Sequence, residues 1–174
     1  MAKKVMFFTV GSQLYGLDVA RTQGIEKAAQ YLQVPNTVKH IMGIITLRGE
    51  IIPVYSLRTK FGMSQPPITN DTELIIGKLS RDVNIALVVD GIREITEMED
   101  SAFSKPPALL QNGDTGYIER VIQNDKMLAI MIGLEGLLTE EEKEKLKDFI
   151  EENKLTEAEM VENEEDEPAA ANQQ

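Results

Sequence analysis

The chain has 174 residues and a net charge of −11, and this length predicts one domain or two small lobes. It contains no cysteine, which excludes disulfides, thiolate metal sites and cysteine nucleophiles. Residues 1–138 are nearly neutral, with 14 basic and 15 acidic residues, whereas residues 139–174 carry 4 basic and 14 acidic residues. Neither part offers the clustered basic surface on which nucleic-acid binding depends.

Membrane insertion and export are not expected either. No window approaches the ~18 consecutive apolar residues of a membrane-spanning helix. The apolar run before Gly11 is too short for the hydrophobic region of a signal peptide. We therefore expect a cytoplasmic protein with no direct membrane insertion.

Short apolar runs separated by turn residues predict strands and hairpins along residues 1–138. In chain order the paired runs are KVMFFTV and LYGLDV, IMGIITL and IIPVYSL, TELIIGKL and VNIALVVD, and GYIERVIQ and KMLAIMIGL. Turns at this spacing are typical of an all-β barrel or sandwich. Pro53 lies inside a predicted strand and indicates a sheet edge or a bulge there.

A weak internal repeat suggests that the β region consists of two similar lobes. Leu17 to Ile25 resembles Val89 to Ile95, and Asp18 and Asp90 occupy equivalent places. We predict lobes of approximately residues 1–78 and 79–138, with an exchange of strands between them left open. Lobes of this size are marginal alone and should pack together, and the seam between them is a natural ligand groove.

The character of the chain changes at Thr139. Thr139 and Glu142 form a capping box, and Leu146, Phe149 and Ile150 lie at helical spacing. This pattern predicts a C-terminal helix over residues 139–154 that docks on the β region. Residues 155–174 are acidic and lack aromatic residues, which predicts a disordered tail.

The residue types needed for catalysis do not converge in the sequence. His40 is the only histidine, and no glycine-rich phosphate-binding motif occurs. Glu97, Glu99 and Asp100 lack the spacing of a calcium loop, so we interpret them as a solvated run. The sequence predicts no catalytic residue, no metal site and no cofactor, and it favours a binding module over an enzyme.

The stretch from Gly43 to Gly62, GIITLRGEIIPVYSLRTKFG, resembles the signature of the CheW family of chemotaxis coupling proteins. The positions that match are Gly43, Leu47, Arg48, Gly49, Pro53, Val54, Leu57, Arg58 and Gly62. The opening strands, through Tyr15, Gly16 and Asp18, and the later motif with Val89, Asp90 and Ile95 are also similar to the family, so that the resemblance spans residues 5–138. The chain departs from the usual pattern at Thr22, Gly24, Met42, Thr46 and Ser56.

The resemblance implies two SH3-like five-stranded β-barrels with a hydrophobic groove between them. It also implies a non-enzymatic adaptor that joins the cytoplasmic tips of chemoreceptors (methyl-accepting chemotaxis proteins) to the regulatory domain of the histidine kinase CheA in membrane-associated receptor arrays. A homologous system that governs pili or development stays open as an alternative, as does, more remotely, a small-barrel module that binds nucleic acid.

The resemblance and the residue types together give a set of candidate contact residues. Arg48 lies in the region that binds receptors in the family; the alternative is that it braces the hairpin internally. Thr22, Ile25 and Ile44 are candidate groove residues. A second set is predicted to be structural, at turns or close backbone approaches: Gly43, Gly49, Asp18, Asp90 and Gly91.

Overall fold

A computed structural model of the chain describes residues 2–35, 38–108 and 116–166, with side chains through Lys154. Most of the described residues before 133 lie in strands. The strands are β1 (Ala2–Val10), β2 (Gln13–Asp18), β3 (Thr22–Lys27), β4 (Leu32–Gln33), β5 (Ile41–Leu47), β6 (Glu50–Ser56), β7 (Glu73–Lys78), β8 (Asn84–Val89), β9 (Gly91–Glu99), β10 (Phe103–Ser104), β11 (Ile118–Gln123) and β12 (Leu128–Ile132). Two α-helices accompany them in the described part of the chain, α1 (Leu57–Lys60) and α2 (Glu140–Asp166).

The strands form two sheets. Sheet A has the order β10-β11-β12-β2-β1-β9, and sheet B has the order β3-β7-β8-β6-β5-β4. Each of the four predicted hairpins is an antiparallel pair of neighbouring strands, so the all-β prediction is confirmed. Each described sheet has six strands where the family resemblance implied five.

The predicted division at residue 78 does not coincide with the sheets. The strands of sheet B all lie between Thr22 and Val89, whereas sheet A combines strands from both ends of the region, residues 2–18 and 91–132. The chain crosses from sheet A to sheet B through the 3-10 turn Val19–Arg21 and returns through Asp90. Sheet A is therefore built from two separate stretches of the chain, and sheet B from the stretch between them.

Pro53 lies in β6, an inner strand of sheet B, so the edge alternative is wrong. The register of β5 with β6 shifts between Ile41 and Gly43, beside Pro53, as the bulge alternative predicted. On one side Pro53 is paired with Ile44 of β5, and on the other side the ladder with β8 begins only at Val54. A proline cannot donate a backbone hydrogen bond. Proline is tolerated at this position because the ladder between β6 and β8 begins one residue later, so that no backbone hydrogen bond to β8 is required of Pro53.

Alternating side chains divide the buried residues into three cores. One lies within sheet A and includes Val5, Phe7 and Ile122, and a second lies within sheet B and includes Ile52, Leu74 and Ala86. The third, here called the central core, takes residues from both sheets. Its members include Met6, Phe8, Tyr15, Leu17, Ile41, Ile44, Tyr55, Ile75, Ile85, Leu87 and Ile132. The central core is what joins the two lobes.

The C-terminal segments complete the central core. The 3-10 turn Leu134–Leu137 contributes two leucines, and α2 contributes Leu146, Phe149 and Ile150. The predicted capping box is present, since Thr139 N donates to Glu142 Oε1 at 2.9 Å and Glu142 N donates to Thr139 Oγ1 at 3.1 Å. The predicted docking of the helix is confirmed.

The helix is longer than the sequence predicted. It continues past Lys154, the predicted end, to Asp166 and thus into the segment from residue 155 for which disorder was predicted; residues 167–174 lie outside the described part. Low hydrophobicity suggested disorder, but residues 155–166 contain five glutamates together with one leucine, one alanine and one methionine, all of which favour helix. Extending an existing helix requires no new nucleation.

Candidate partner-binding surface

Strand β3 forms one outer edge of sheet B and strand β9 forms one outer edge of sheet A. Contacts at the two ends of these strands place them along one seam. At one end of the seam, Glu73 is the register partner of Lys27 of β3, and its Oε2 accepts a hydrogen bond from Ile92 N of β9 at 3.3 Å. At the other end, β3 begins just after Asp18. Asp18 is paired with Val5 of β1, and Val5 is paired on its other side with Thr96 of β9, so the start of β3 lies on the side of Thr96. The two strands therefore run past each other in opposite directions.

The seam is the exposed border of the central core. Ile25 of β3 is aligned with Ile75 and, through it, with Leu87, both of which belong to the central core. Directly paired residues of adjacent strands place their side chains on the same face of the sheet. The side chain of Ile25 is consequently on the face of sheet B that packs against sheet A.

Ile95 of β9 has the equivalent position in sheet A. It is aligned with Met6 and, through it, with Leu17, which are both in the central core. Its side chain is 54% exposed and that of Ile25 is 45% exposed, although their paired neighbours are buried. We name this opening of the central core between β3 and β9, with Ile25 and Ile95, the apolar mouth.

The structure separates the predicted contact residues. Ile25 lies at the apolar mouth, and Thr22 is half-buried at the start of β3, where its Oγ1 donates to Val19 O at 2.9 Å. Ile44 is only 7% exposed and belongs to the central core, so its side chain offers almost no contact surface. Ile44 lies in β5, which has a neighbouring strand on each side. The composition of an apolar strand does not show whether a given side chain on it is buried or exposed.

Arg48 is at the tip of the β5–β6 hairpin, which β7 and β8 separate from β3 within sheet B. Arg48 has φ 52° and Gly49 has φ 79°, as a two-residue hairpin turn with two left-handed residues requires. The side chain is exposed, and within the described residues it forms no ion pair or side-chain hydrogen bond. The alternative of an internal brace thus finds no contact to support it.

Two of the predicted structural residues join segments that are distant in sequence. Asp90 accepts hydrogen bonds from Arg58 Nε at 2.9 Å and Nη2 at 2.8 Å, and also from the backbone N–H of Gly11. This bidentate pair raises the pKa of the Arg58 guanidinium, chiefly through the hydrogen bond to Asp90. Asp18 accepts from Ala20 N at 2.9 Å and caps the 3-10 turn between the sheets.

The predicted glycines have different surroundings. A side chain on Gly43 would collide with the backbone of Leu32 and Gln33 in β4, so this position requires a close approach of two strands. At Gly49 the space is open, and the left-handed φ alone favours glycine. A Cβ on Gly91 would lie 3.3 Å from Thr9 Oγ1.

Ser56, where the family usually has aspartate, retains a capping role. Its Oγ accepts a hydrogen bond from Thr59 N at 3.1 Å at the start of α1 and donates to Gln65 Oε1 at 2.8 Å. Serine and aspartate are both effective N-cap residues. This departure from the family pattern therefore conserves the local structure.

Ile95 is the member of the apolar mouth that sequence reasoning did not select as a contact. In the sequence it ends the repeated motif that begins at Val89 and matches the family pattern, and neither feature indicates a contact. The signal that could have found it is the alternation around β9, where an isoleucine is surrounded by charged residues. Within residues 2–35, 38–108 and 116–154, no group of three histidine or acidic side chains is arranged to hold a metal ion.

Comparison with known proteins identifies the class. The family model described as the CheW-like domain matches residues 4–142. The chemotaxis protein CheW of Bacillus subtilis is 27% identical over 139 residues, which cover 80% of this chain and 88% of the relative. The CheW of Klebsiella aerogenes is 27% identical over 142 residues, which cover 82% and 85% of the two chains.

A solved structure agrees with these relatives. The crystal structure of the scaffolding protein TtCheW from Thermoanaerobacter tengcongensis has a TM-score of 0.70 and 31% identity, and the match covers 79% of this chain and 92% of that one. Two packed sheets with an exposed apolar mouth form the architecture of a protein-binding module. The chain belongs to the CheW family, whose members are adaptors of chemotaxis signalling and not enzymes. No helix among the described residues is long and apolar enough to span a membrane.

Proposed function

We propose that this chain couples the cytoplasmic tip of a chemoreceptor to the regulatory domain of the histidine kinase CheA, at receptor arrays on the cytoplasmic side of the membrane. The observation that carries the receptor half of the proposal is the apolar mouth. A pair of half-exposed isoleucines continues a core whose residues aligned with them are buried. Scattered apolar residues are ordinary on a protein surface, but two that continue one buried core form a binding groove.

The shape of the mouth favours a helical partner. Receptor tips are helical hairpins, and an amphipathic helix binds by laying its apolar face into such a groove. Ile25 and Ile95 lie near the middle of their strands, so that they act as anchors on opposite walls. The charged rim around them fixes the partner's position more than it contributes affinity.

Arg48 is a second contact in this proposal. Its guanidinium is exposed and has no partner in the described part of the chain. A guanidinium can bind a carboxylate with two parallel hydrogen bonds. Arg48 would then bind an acidic or carbonyl group of a partner at the end of sheet B, away from the apolar mouth.

The proposal is tested with Ile25→Asp and Ile95→Asp in co-sedimentation with membranes that contain chemoreceptors. An aspartate in the mouth must lose water when the partner binds, so each variant should weaken binding by about 2 kcal/mol or more, roughly 30-fold. The matched control is Leu128→Asp, because Leu128 is 56% exposed but lies on β12, away from the mouth.

Arg48→Glu is the second arm of the same experiment, with binding to receptor and to CheA measured separately. It should leave the melting temperature nearly unchanged while it removes binding to the receptor. Equal binding by wild type and by both isoleucine variants would refute the apolar mouth as the receptor site. A general loss of folding in the Arg48 variant would assign that residue to the structure instead.

A further inference from the structure

A cleft in the described part of the protein is separate from the apolar mouth, because no residue of β3 or β9 lines it. Its volume is about 740 Å³. Its walls come from the two residues before β5, from α1, from residues 136–139 and from the first turns of α2, and they contain Lys39, His40, Lys60 and Lys145. Two acidic residues of α2, Glu141 and Glu142, also line it.

The acidic residues of the cleft already have partners. Glu142 accepts the hydrogen bond of the helix cap from Thr139 N, and Glu141 is 3.7 Å from Lys145 of the same helix. In contrast, Lys39 and Lys60 form no ion pair with any described residue. Lys60 Nζ lies over the ring of Tyr117 at 5.7 Å, a contact that leaves its positive charge uncompensated.

His40 adds a directional donor to this group. Thr59 Oγ1 donates its hydrogen to Ser56 O at 3.1 Å, so it must accept from His40 Nδ1, which lies 2.8 Å away. The proton of the neutral imidazole is thereby held on Nδ1, and Nε2 is the nitrogen that gains a proton at lower pH. Burial lowers the pKa of His40, and the charges of Lys60 and Lys39 lower it further while Glu142 opposes them.

The backbone holds His40 firmly in this place. Its φ is 68°, in the left-handed region, and its carbonyl accepts a hydrogen bond from Ser56 N at 2.8 Å. The ring lies edge-on to Tyr55, with centroids 5.7 Å apart, and Tyr55 donates its hydroxyl to Leu137 O. Three separate elements therefore bring cationic groups to one cleft and keep them there.

We propose that this cleft is a binding site for a small oxyanion of the phosphate class. Lys39 and Lys60 supply positive charge that exceeds the unpaired carboxylate charge of Glu142, and His40 supplies a hydrogen bond through protonated Nε2. Amine and imidazolium donors form strong charge-assisted hydrogen bonds with phosphate oxygens. The site is independent of the apolar mouth, and the two proposals can fail separately.

Binding at this site is linked to protonation of His40. The anion stabilises the imidazolium, so the pKa of His40 rises when the anion is bound. Affinity must therefore increase as the pH falls through the range in which free His40 takes up its proton, below its ordinary value near 6.5. Glu141 and Glu142 act against the anion at every pH at which they are ionised.

The single histidine allows a direct measurement. The imidazole C–H signals of His40 are the only ones of their kind in the full-length chain, and their shift with pH is recorded by NMR without anion, with inorganic phosphate and with pyrophosphate. Sodium chloride of equal ionic strength serves as the reference. We expect a higher pKa with phosphate than with chloride, and a larger rise with pyrophosphate.

Substitutions decide whether the cleft is responsible. Lys60→Met and Lys39→Met should each weaken pyrophosphate binding at least about fivefold, since each removes one close positive charge. Lys126→Met is the matched control, because Lys126 is an exposed lysine in the β11–β12 turn, remote from the cleft. The same His40 titration in phosphate and in chloride, or equal binding by all three variants, would overturn the proposal.

Discussion

At the scale of single residues, the pair formed by Arg58 and Asp90 connects segments that the chain order keeps apart. Arg58 lies in α1, which directly follows β6 of sheet B. Asp90 lies between β8 and β9, where the chain crosses from sheet B to sheet A. Asp90 also receives the N–H of Gly11 at the β1–β2 turn. One carboxylate thereby fixes a hairpin of one sheet to a helix of the other.

This arrangement leads to a prediction for Asp90→Asn. The amide can still accept the bond from Gly11, but it loses the bidentate charge-assisted pair with Arg58. Because the two side chains are only 25% and 28% exposed, we expect a loss of about 1–2 kcal/mol in the free energy of unfolding. Urea denaturation measures this as a lower midpoint with an unchanged slope.

The control for Asp90→Asn is Glu140→Gln. Glu140 forms an ion pair with Lys143 at 3.2 Å, but its side chain is 91% exposed, so its loss should cost less than about 0.5 kcal/mol. If the two variants lost the same small amount, the Arg58–Asp90 pair would have no special part in joining the sheets.

Only part of this residue-level picture could be predicted from the sequence. Asp18 and Asp90 stand beside turns, and that local position indicates a structural role. The pairing of Asp90 with Arg58 joins positions 32 residues apart, and no local pattern encodes it. Ile25 and Ile44 show the same limit: both are isoleucines on strands, and only the position of the strand in its sheet makes one half-exposed and the other buried.

At the scale of elements, α2 has two parts with different roles. Its first three turns place Leu146, Phe149 and Ile150 in the central core, with exposures of 0%, 5% and 8%. Among the residues of α2 through Lys154, whose side chains the structure describes, Ile150 is the last one in that core. The sequence predicted the first part through its hydrophobic spacing, because a docked helix needs an apolar stripe. The second part, after Lys154, depends on helix propensity, and its acidic composition favoured a prediction of disorder instead.

We expect the two parts of α2 to contribute differently to the free energy of unfolding. Leu146→Ala should cost about 2–5 kcal/mol, because it removes a fully buried side chain and leaves a cavity. A chain that ends after Lys154 should retain the thermal stability of the full chain within experimental error. A truncation that destabilised as much as Leu146→Ala would show that the distal part of α2 also packs on the body.

At the scale of the whole molecule, the two lobes are not separate units, because both sheets bury side chains in the same central core. Strand hairpins were predictable because alternation and turn residues are local. The sheet that each strand joins was not, since β1 and β2 pair with strands more than 70 residues away in sequence. A division at residue 78 therefore groups β1 and β2 with the strands of sheet B, and β8 with the strands of sheet A.

The same topology predicts one cooperative unfolding transition. Separation of the sheets would expose the face of sheet B that carries Tyr55, Ile75 and Leu87, which are all 0% exposed in the intact protein. A lobe of this size buries only about 60% of its unfolded surface, too little to tolerate the loss of that contact. Differential scanning calorimetry should give a single peak whose calorimetric and van't Hoff enthalpies agree. Two resolved peaks would mean that each sheet is stable alone and that the central core is an interface between independent domains.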